Sequence, residues 1–115
     1  MITIYGIPNC DTMKKARAWL DAQGVAYGFH DYKKAGLDEA RLRDWVEELG
    51  WQTLLNTRGM MWRKVPQDVK DAIDEDSAIA LMLETPSMIK RPVLDTGKTL
   101  HVGFKPEQYE RIFAA

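Results

Sequence analysis

Apolar and polar residues alternate with a period of two at the start of the chain, then switch to a helical period. Ile2-Thr3-Ile4-Tyr5 is β-branched and aromatic and reads as a short strand closed by Gly6-Ile7-Pro8-Asn9. From about Asp11 to Gln23, Met13, Ala16 and Leu20 recur at spacings of three and four, with Trp19 alongside and Gly24 as the stop. Val25, Tyr27 and Phe29 then alternate with smaller or polar residues through Asp31, which predicts a second strand. Strand, helix and strand at this spacing form a βαβ unit, so the two strands should be parallel with a right-handed crossover.

The pattern changes after Lys33-Lys34-Ala35-Gly36. Asp38 can cap a helix with Leu42, Trp45, Val46 and Leu49 on one face and Gly50 at its end. A short segment, Trp51 to Leu55, leads to the loop Asn56-Thr57-Arg58-Gly59. Pro66 is placed as the first residue of another helix, with Val69, Ala72 and Ile73 inward. Ser77 can cap the next, Ala78 to Glu84, which stops before Thr85-Pro86. Extended structure returns at Val93-Leu94-Asp95; Thr96-Gly97 turns, Thr99 to Val102 returns as a hairpin strand, and Pro106 opens a last helix carrying Tyr109, Ile112 and Phe113. The order β-α-β, helices, β-β-α predicts one α/β domain over residues 1–115. Residues 1–34 and 86–115 would form the sheet core around a helical insertion at 37–85.

Composition narrows the function classes. The chain has 115 residues, 45% of them apolar, which suits one domain with an ordinary core. Sixteen basic against seventeen acidic side chains give a net charge of −1, without the broad cationic field of a dedicated nucleic-acid binder. No apolar run approaches the ~20 residues of a membrane-spanning helix, and Met1 to Tyr5 lacks the basic and long apolar regions of a signal peptide. These features predict a cytoplasmic protein with neither membrane nor direct nucleic-acid partners.

Cysteine usage is more informative. A single Cys10 excludes an internal disulfide and any multi-cysteine zinc site. His30 and His101 lie far apart without metal-like partner spacing, so no metal site is expected. Cys10 falls where the first loop runs into the first helix, whose unpaired N–H groups and dipole stabilise a thiolate. Lys14 and Lys15 add positive potential one turn on, and Asp11 opposes it. A buried, inert cysteine is the alternative; the polar run Pro8-Asn9-Cys10-Asp11 favours a reactive thiol. Met13 stands where a Cys-X-X-Cys pair would have its second thiol. A lone thiolate that attacks a disulfide then needs an outside thiol to release it, and glutathione is the cytosolic candidate.

A second group of residues precedes the third strand. Arg91 offers a planar donor fork for a carboxylate or oxyanion, and Pro92 is a candidate cis proline. The alternative is a trans proline at a strand start beside a solvated arginine. With the third strand next to the first, the Arg91 loop would lie at the same end of the sheet as Cys10.

Ile2-Thr3-Ile4-Tyr5 before Pro8-Asn9-Cys10, with Leu54-Leu55-Asn56-Thr57-Arg58 and Ile89-Lys90-Arg91-Pro92-Val93, resembles the arsenate reductase/Spx family over nearly the whole chain. The likeness is closest to its small YffB-like branch. The resemblance implies a thioredoxin-like four-stranded mixed sheet, Cys10 as nucleophile, and Arg91 with a cis Pro92 lining its site. Asn9, Thr12, Lys14, Arg58, Arg91, Pro92 and Lys105 become candidates for holding substrate or glutathione. Arsenate reductases of the family carry a histidine at the position of Gly6 and three arginines around the oxyanion. Arg91 matches one of these; Asn56 and Lys105 fall at the others, which predicts a poor arsenate reductase. The implied activity is a glutathione-dependent thiol reductase with no bound cofactor, glutathione as co-substrate and glutaredoxin as a further candidate partner. The alternative is a non-catalytic Spx-like regulator that binds RNA polymerase or another protein.

Overall fold

The computed structural model describes residues 1–114; Ala115, the last residue of the expected domain, lies outside them. The strands β1 (Thr3–Gly6), β2 (Gly28–Asp31), β3 (Val93–Asp95) and β4 (Leu100–Val102) form one sheet in the order β2-β1-β3-β4. The helices of the described residues are α1 (Asp11–Ala22), α2 (Tyr32–Ala35), α3 (Glu39–Leu49), α4 (Trp51–Leu54), α5 (Met60–Arg63), α6 (Gln67–Asp71), α7 (Glu75–Glu84) and α8 (Pro106–Ile112). β1 runs parallel to β2, with Gly6 beside Asp31, and antiparallel to β3, with Tyr5 beside Val93. This is the mixed four-stranded α/β sheet that the element order and the family resemblance lead one to expect.

The chain divides into two compact units. The first joins Met1–Ala35 to the segment from Arg91 onward, and the second is Gly36–Lys90. In the first unit, Ile4 and Leu94 are cross-strand partners and so share a sheet face. Met13, Ala16 and Leu20 of α1 and Tyr109 of α8 close over that face, and all six side chains are fully buried. The opposite face carries Tyr5, Val93 and His30; Tyr5 and Val93 are buried too.

β2 begins three residues later than the alternation from Val25 suggests. The end of α1 explains this. Gly24 adopts φ 70°, its N–H bonds to the Asp21 carbonyl, and the Val25 N–H bonds back to the Leu20 carbonyl. That 6→1 closure is a Schellman motif, and it spends the Val25 amide on the helix instead of the sheet. α2 is a single turn, too short to show a period.

In the second unit, α3 packs against α4 and α7 through Leu42, Trp45, Val46, Leu54, Ile79 and Met82. Asp38 caps α3, accepting from the Arg41 N–H at 3.2 Å. α7 starts earlier than a Ser77 cap would allow. Asp74 is the cap, accepting from the Ser77 N–H at 2.9 Å, while Ser77 Oγ accepts from the Asp74 N–H at 2.9 Å. This reciprocal box satisfies two orphan helix donors, and Ser77 serves as its third helical residue. Pro66 likewise stands at the cap of α6, one position before the expected place. Residues 86–90 also move from the sheet core to the helical unit. Leu55 bridges Ile89, Asn56 N–H bonds Met88 O at 2.8 Å, and Lys90 N–H bonds Leu54 O at 2.7 Å. These bonds tie the 3₁₀ turn Pro86–Met88 to the end of α4.

Burial decides which side chains carry stability. Leu94→Ala, at a fully buried position, should cost about 2–5 kcal/mol. Met60→Ala, at a residue 67% exposed, should stay within about 0.5 kcal/mol. Urea unfolding of the two variants checks this, and comparable losses would contradict the core assignment.

Candidate active site

The register brings three segments to one end of the sheet. β1 and β2 are parallel and end side by side, at Gly6 and Asp31. β3 is antiparallel and therefore begins there, with Val93 beside Tyr5. The loop from β1 to Cys10, the first residue of α2 and the Arg91-Pro92 pair consequently converge. The Arg91–Pro92 peptide is cis, and the Pro92 carbonyl accepts from the Gly103 N–H at 2.9 Å.

Cys10 is the N-cap of α1, extended at φ −120° and ψ 128°, and half-buried. Its carbonyl accepts the Lys14 N–H at 3.0 Å, so the backbone enters the helix at the cysteine. The side chain closes no cap hydrogen bond of ordinary geometry. It nevertheless faces donors that favour its anion. Burial pushes the thiol up; the Met13 N–H, the Arg91 guanidinium, the Thr12 N–H and the charge of Arg91 together outweigh burial and hold it below its ordinary value. Lys14 and Lys15 are exposed. Their ammonium groups sit in solvent, where screening is strong, while the Arg91 guanidinium is one of the donors that lower the thiol.

The other expected residues are placed as follows. Asn9 is exposed in the turn before Cys10, and Thr12, half-buried, offers its backbone amide. Lys105 is the exposed N-cap of α8, and its charge is not among those acting on Cys10. Arg58 belongs to the helical unit, exposed, its N–H bonded to Asn56 Oδ1 at 3.0 Å. Among the described residues no group of three His, Cys, Asp or Glu side chains could hold a metal ion. No helix of the described residues is long and apolar enough to cross a membrane.

Sequence reasoning passed over Tyr32. It opens α2 directly after Asp31, is buried, and stacks on Tyr5 with ring centroids 6.5 Å apart. Arg91 acts electrostatically on Tyr32 as it does on Cys10. Only the strand register could have pointed to it, because its position matters relative to β1, not to its own neighbours.

Gly6 explains a second feature of the site. A Cβ there would press into Met13 Sδ and lie 2.8 Å from Met13 Cε. Met13 is fully buried. Positions 6 and 13 therefore compete for one space. With methionine at 13, a side chain at 6 enters only if the thioether end of Met13 moves aside. The arrangement provides a stabilised thiolate, an adjacent guanidinium and no second thiol in the chain.

The chain is similar to known proteins along nearly its whole length. A sequence model described as ArsC family matches residues 5–112. A protein named global transcriptional regulator Spx from Streptococcus agalactiae is 31% identical over 110 residues, covering 94% of this chain and 80% of the relative. The solved structure of a YffB protein is similar at a TM-score of 0.95 and 54% identity, over 99% of this chain and 100% of that one. That of an arsenate reductase (ArsC) related protein from Brucella melitensis is also 54% identical, with a TM-score of 0.81 over 99% and 95% of the two chains.

Two expectations follow from the site geometry. Since thiolate is the reactive form and its fraction rises with pH, a lowered pKa means Cys10 reacts at lower pH than free cysteine does. Iodoacetamide rates against pH should show this, and Arg91→Ala should move the midpoint upward and slow alkylation at pH 7. A midpoint unmoved by Arg91→Ala would remove Arg91 from the site. Gly6→His should destabilise by about 1–3 kcal/mol through overpacking. Combined with Met13→Ala it should show a coupling above about 1 kcal/mol, whereas additive losses would mean that the two positions do not share space.

Proposed function

The chain belongs to the ArsC family, and from that premise we propose that it is a glutathione-dependent thiol reductase working through Cys10 alone. One observation carries the reading: a half-buried thiol held below its ordinary pKa by two backbone amides and Arg91, in a chain with no second cysteine. Such a thiolate is suited to attack a disulfide sulfur and unsuited to close an internal disulfide afterwards.

The reaction balances with glutathione as the only reductant. Cys10 Sγ⁻ attacks the glutathionyl sulfur of a glutathionylated thiol. The substrate S–S bond breaks, a Cys10–glutathione disulfide forms, and the substrate leaves as thiolate, taking a proton from water. A second glutathione thiolate then attacks the glutathionyl sulfur of that adduct. Oxidised glutathione departs and Cys10 returns as thiolate. Arg91 lowers the cost of charge on sulfur at both stages, and a guanidinium fork can hold a glutathione carboxylate. Asn9, Thr12, Lys14, Pro92, Lys105 and Arg58 are the further candidates for glutathione contacts. Glutaredoxin could release the adduct by the same exchange. The co-substrate places the reaction in a reducing compartment, the cytoplasm.

The identity to Spx favours a second reading, a regulator that contacts RNA polymerase or another protein without catalysis. An activated thiol weighs against it, since docking alone needs no thiolate. Arsenate fits less well as substrate. Position 6 is a glycine and offers no base, and Lys105 gives a point charge where a guanidinium would grip two oxygens.

The test is reduction of a glutathionylated peptide by the full chain with glutathione. We expect catalytic release of the peptide thiol and a Cys10–glutathione adduct seen by mass spectrometry. Cys10→Ser should bring the rate to background. No turnover and no adduct, with Cys10 titrating like free cysteine, would sink the reductase reading in favour of the regulator.

A further inference from the structure

Cys10 stands at the end of the sheet where β1 and β2 stop. The opposite end, on the open flank of β2, carries a cavity that neither the fold nor the mechanism above uses. β2 is an edge strand, and its first residue, Gly28, lies beside Thr3 at the start of β1. There Arg17, Asp21, Val25, Ala26, Tyr27 and Phe29, all of the sheet unit, line a cavity of about 410 Å³. Ala26 and Tyr27 also line a second depression of about 530 Å³, shared with Met1, Ile2 and Gly28. Arg17 is half-buried and held from two sides. Its guanidinium carbon lies 4.4 Å from the centre of the Phe29 ring, and its Nε–H donates to Tyr27 Oη at 3.3 Å. Asp21 follows one turn later on α1 and is exposed; among the described residues it forms no ion pair with Arg17. An arginine placed N-terminal to its acid is the weaker i,i+4 order, and here the guanidinium turns onto β2 instead.

We propose that this cavity is a binding site for a small molecule bearing a carboxylate on an apolar chain, with the carboxylate against Arg17 and the chain along Val25, Ala26 and Tyr27. A guanidinium has five N–H donors, and the Tyr27 hydroxyl takes one of them. The Nη groups present the planar fork that matches the two oxygens of a carboxylate. Because Tyr27 Oη accepts from Nε, its own proton is left to donate to the same ligand. Stacking on Phe29 fixes the fork beforehand, so little side-chain freedom is lost on binding. The apolar walls select the rest of the ligand, since a bare inorganic anion would leave Val25, Ala26 and Ile2 in water. Asp21 carries the wrong sign for this ligand, but it is exposed and its charge is screened. The site is separate from the thiol chemistry. Arg17 lies seven residues, about 10 Å of helix rise, beyond Cys10 on α1.

The experiment titrates the ¹⁵N-labelled full chain with octanoate, with neutral 1-octanol and with acetate, read by ¹H–¹⁵N NMR. We expect octanoate to give saturable shifts at the Val25, Tyr27 and Gly28 amides and at the Arg17 Nε–H. Octanol and acetate, each with half of the ligand's chemistry, should bind at least about tenfold more weakly, the worth of a hydrogen-bonded charge or of a few buried methylenes. Arg17→Gln should weaken octanoate about tenfold and leave octanol unchanged. Tyr27→Phe keeps the ring and the Phe29 stack, and should weaken octanoate several-fold; it decides the matter if Arg17→Gln lowers the thermal midpoint too far for titration. An Arg17 that only covers the sheet edge would leave octanoate affinity unmoved in both variants, and that result overturns the proposal. Equal binding of octanol and octanoate overturns it as well. Octanoate shifts confined to the Thr12 and Met13 amides would put the carboxylate at Arg91 and overturn it too. Loss of peptide reduction in Cys10→Ser with octanoate binding intact would show the two sites to be independent, as expected.

Discussion

The antiparallel pairing of β1 with β3 is the constraint on which the Cys10 site depends. Tyr5 opposite Val93 brings the start of β3 level with the end of β1, although the whole helical unit lies between them in sequence. The cis Arg91–Pro92 peptide immediately precedes that pairing and is anchored from the far side, where Gly103 N–H bonds the Pro92 carbonyl. A slip of one residue would turn Leu94 out of the core and exchange the faces of every side chain on β3. Full burial of Ile4 and Leu94 on one face and of Val93 on the other holds the register against that slip.

Given that scaffold, the chemistry of Cys10 is a contest between desolvation and directed donors. A half-buried sulfur loses hydration that its anion needs, and burial alone would make it a poor nucleophile. Two amides of the first turn of α1 and one guanidinium reverse the outcome. None of these depends on flexible surface charge. The amides are fixed by helical geometry and Arg91 by the strand that follows it, so the stabilisation is preorganised and little affected by salt. Lys14 and Lys15 have the right sign and sequence distance, yet their exposure leaves them screened by water.

The Gly6–Met13 pair shows how packing limits which chemistry a shared fold can host. Met13 fills the core below the first turn and reaches under the end of β1, so a side chain at Gly6 would have to displace its thioether end. The same methionine occupies the place of a second thiol in a Cys-X-X-Cys sequence. One buried side chain thus crowds the position of a neighbouring base and takes the place of an internal resolving cysteine. What is left at Cys10 is a thiolate that must be released by a thiol from outside.

Much of this was legible in the residue pattern. The periods of α1 and α3, the βαβ order, the hairpin around Gly97 and the candidacy of Cys10 and Arg91 all rest on local signals, and local sequence carries those. The parallel pairing of β1 with β2 and the β3–β4 hairpin followed from handedness and short connections, which hold for folds in general. Other features were decided by bonds between residues that no local window joins. The late start of β2 came from a closure spanning Leu20 to Val25, and the early start of α7 from the Asp74–Ser77 box. Residues 86–90 joined the helical unit because their backbone bonds went to Leu54 and Asn56. At the site, the sequence by itself determined that there is one thiol at a helix start and one arginine before a strand. Only the tertiary structure decided that Arg91 and two amides of α1 lower the Cys10 thiol while Lys14 lies exposed. Electrostatics falls off with distance and with exposure to water, and both are properties of packing in three dimensions, not of spacing along the chain.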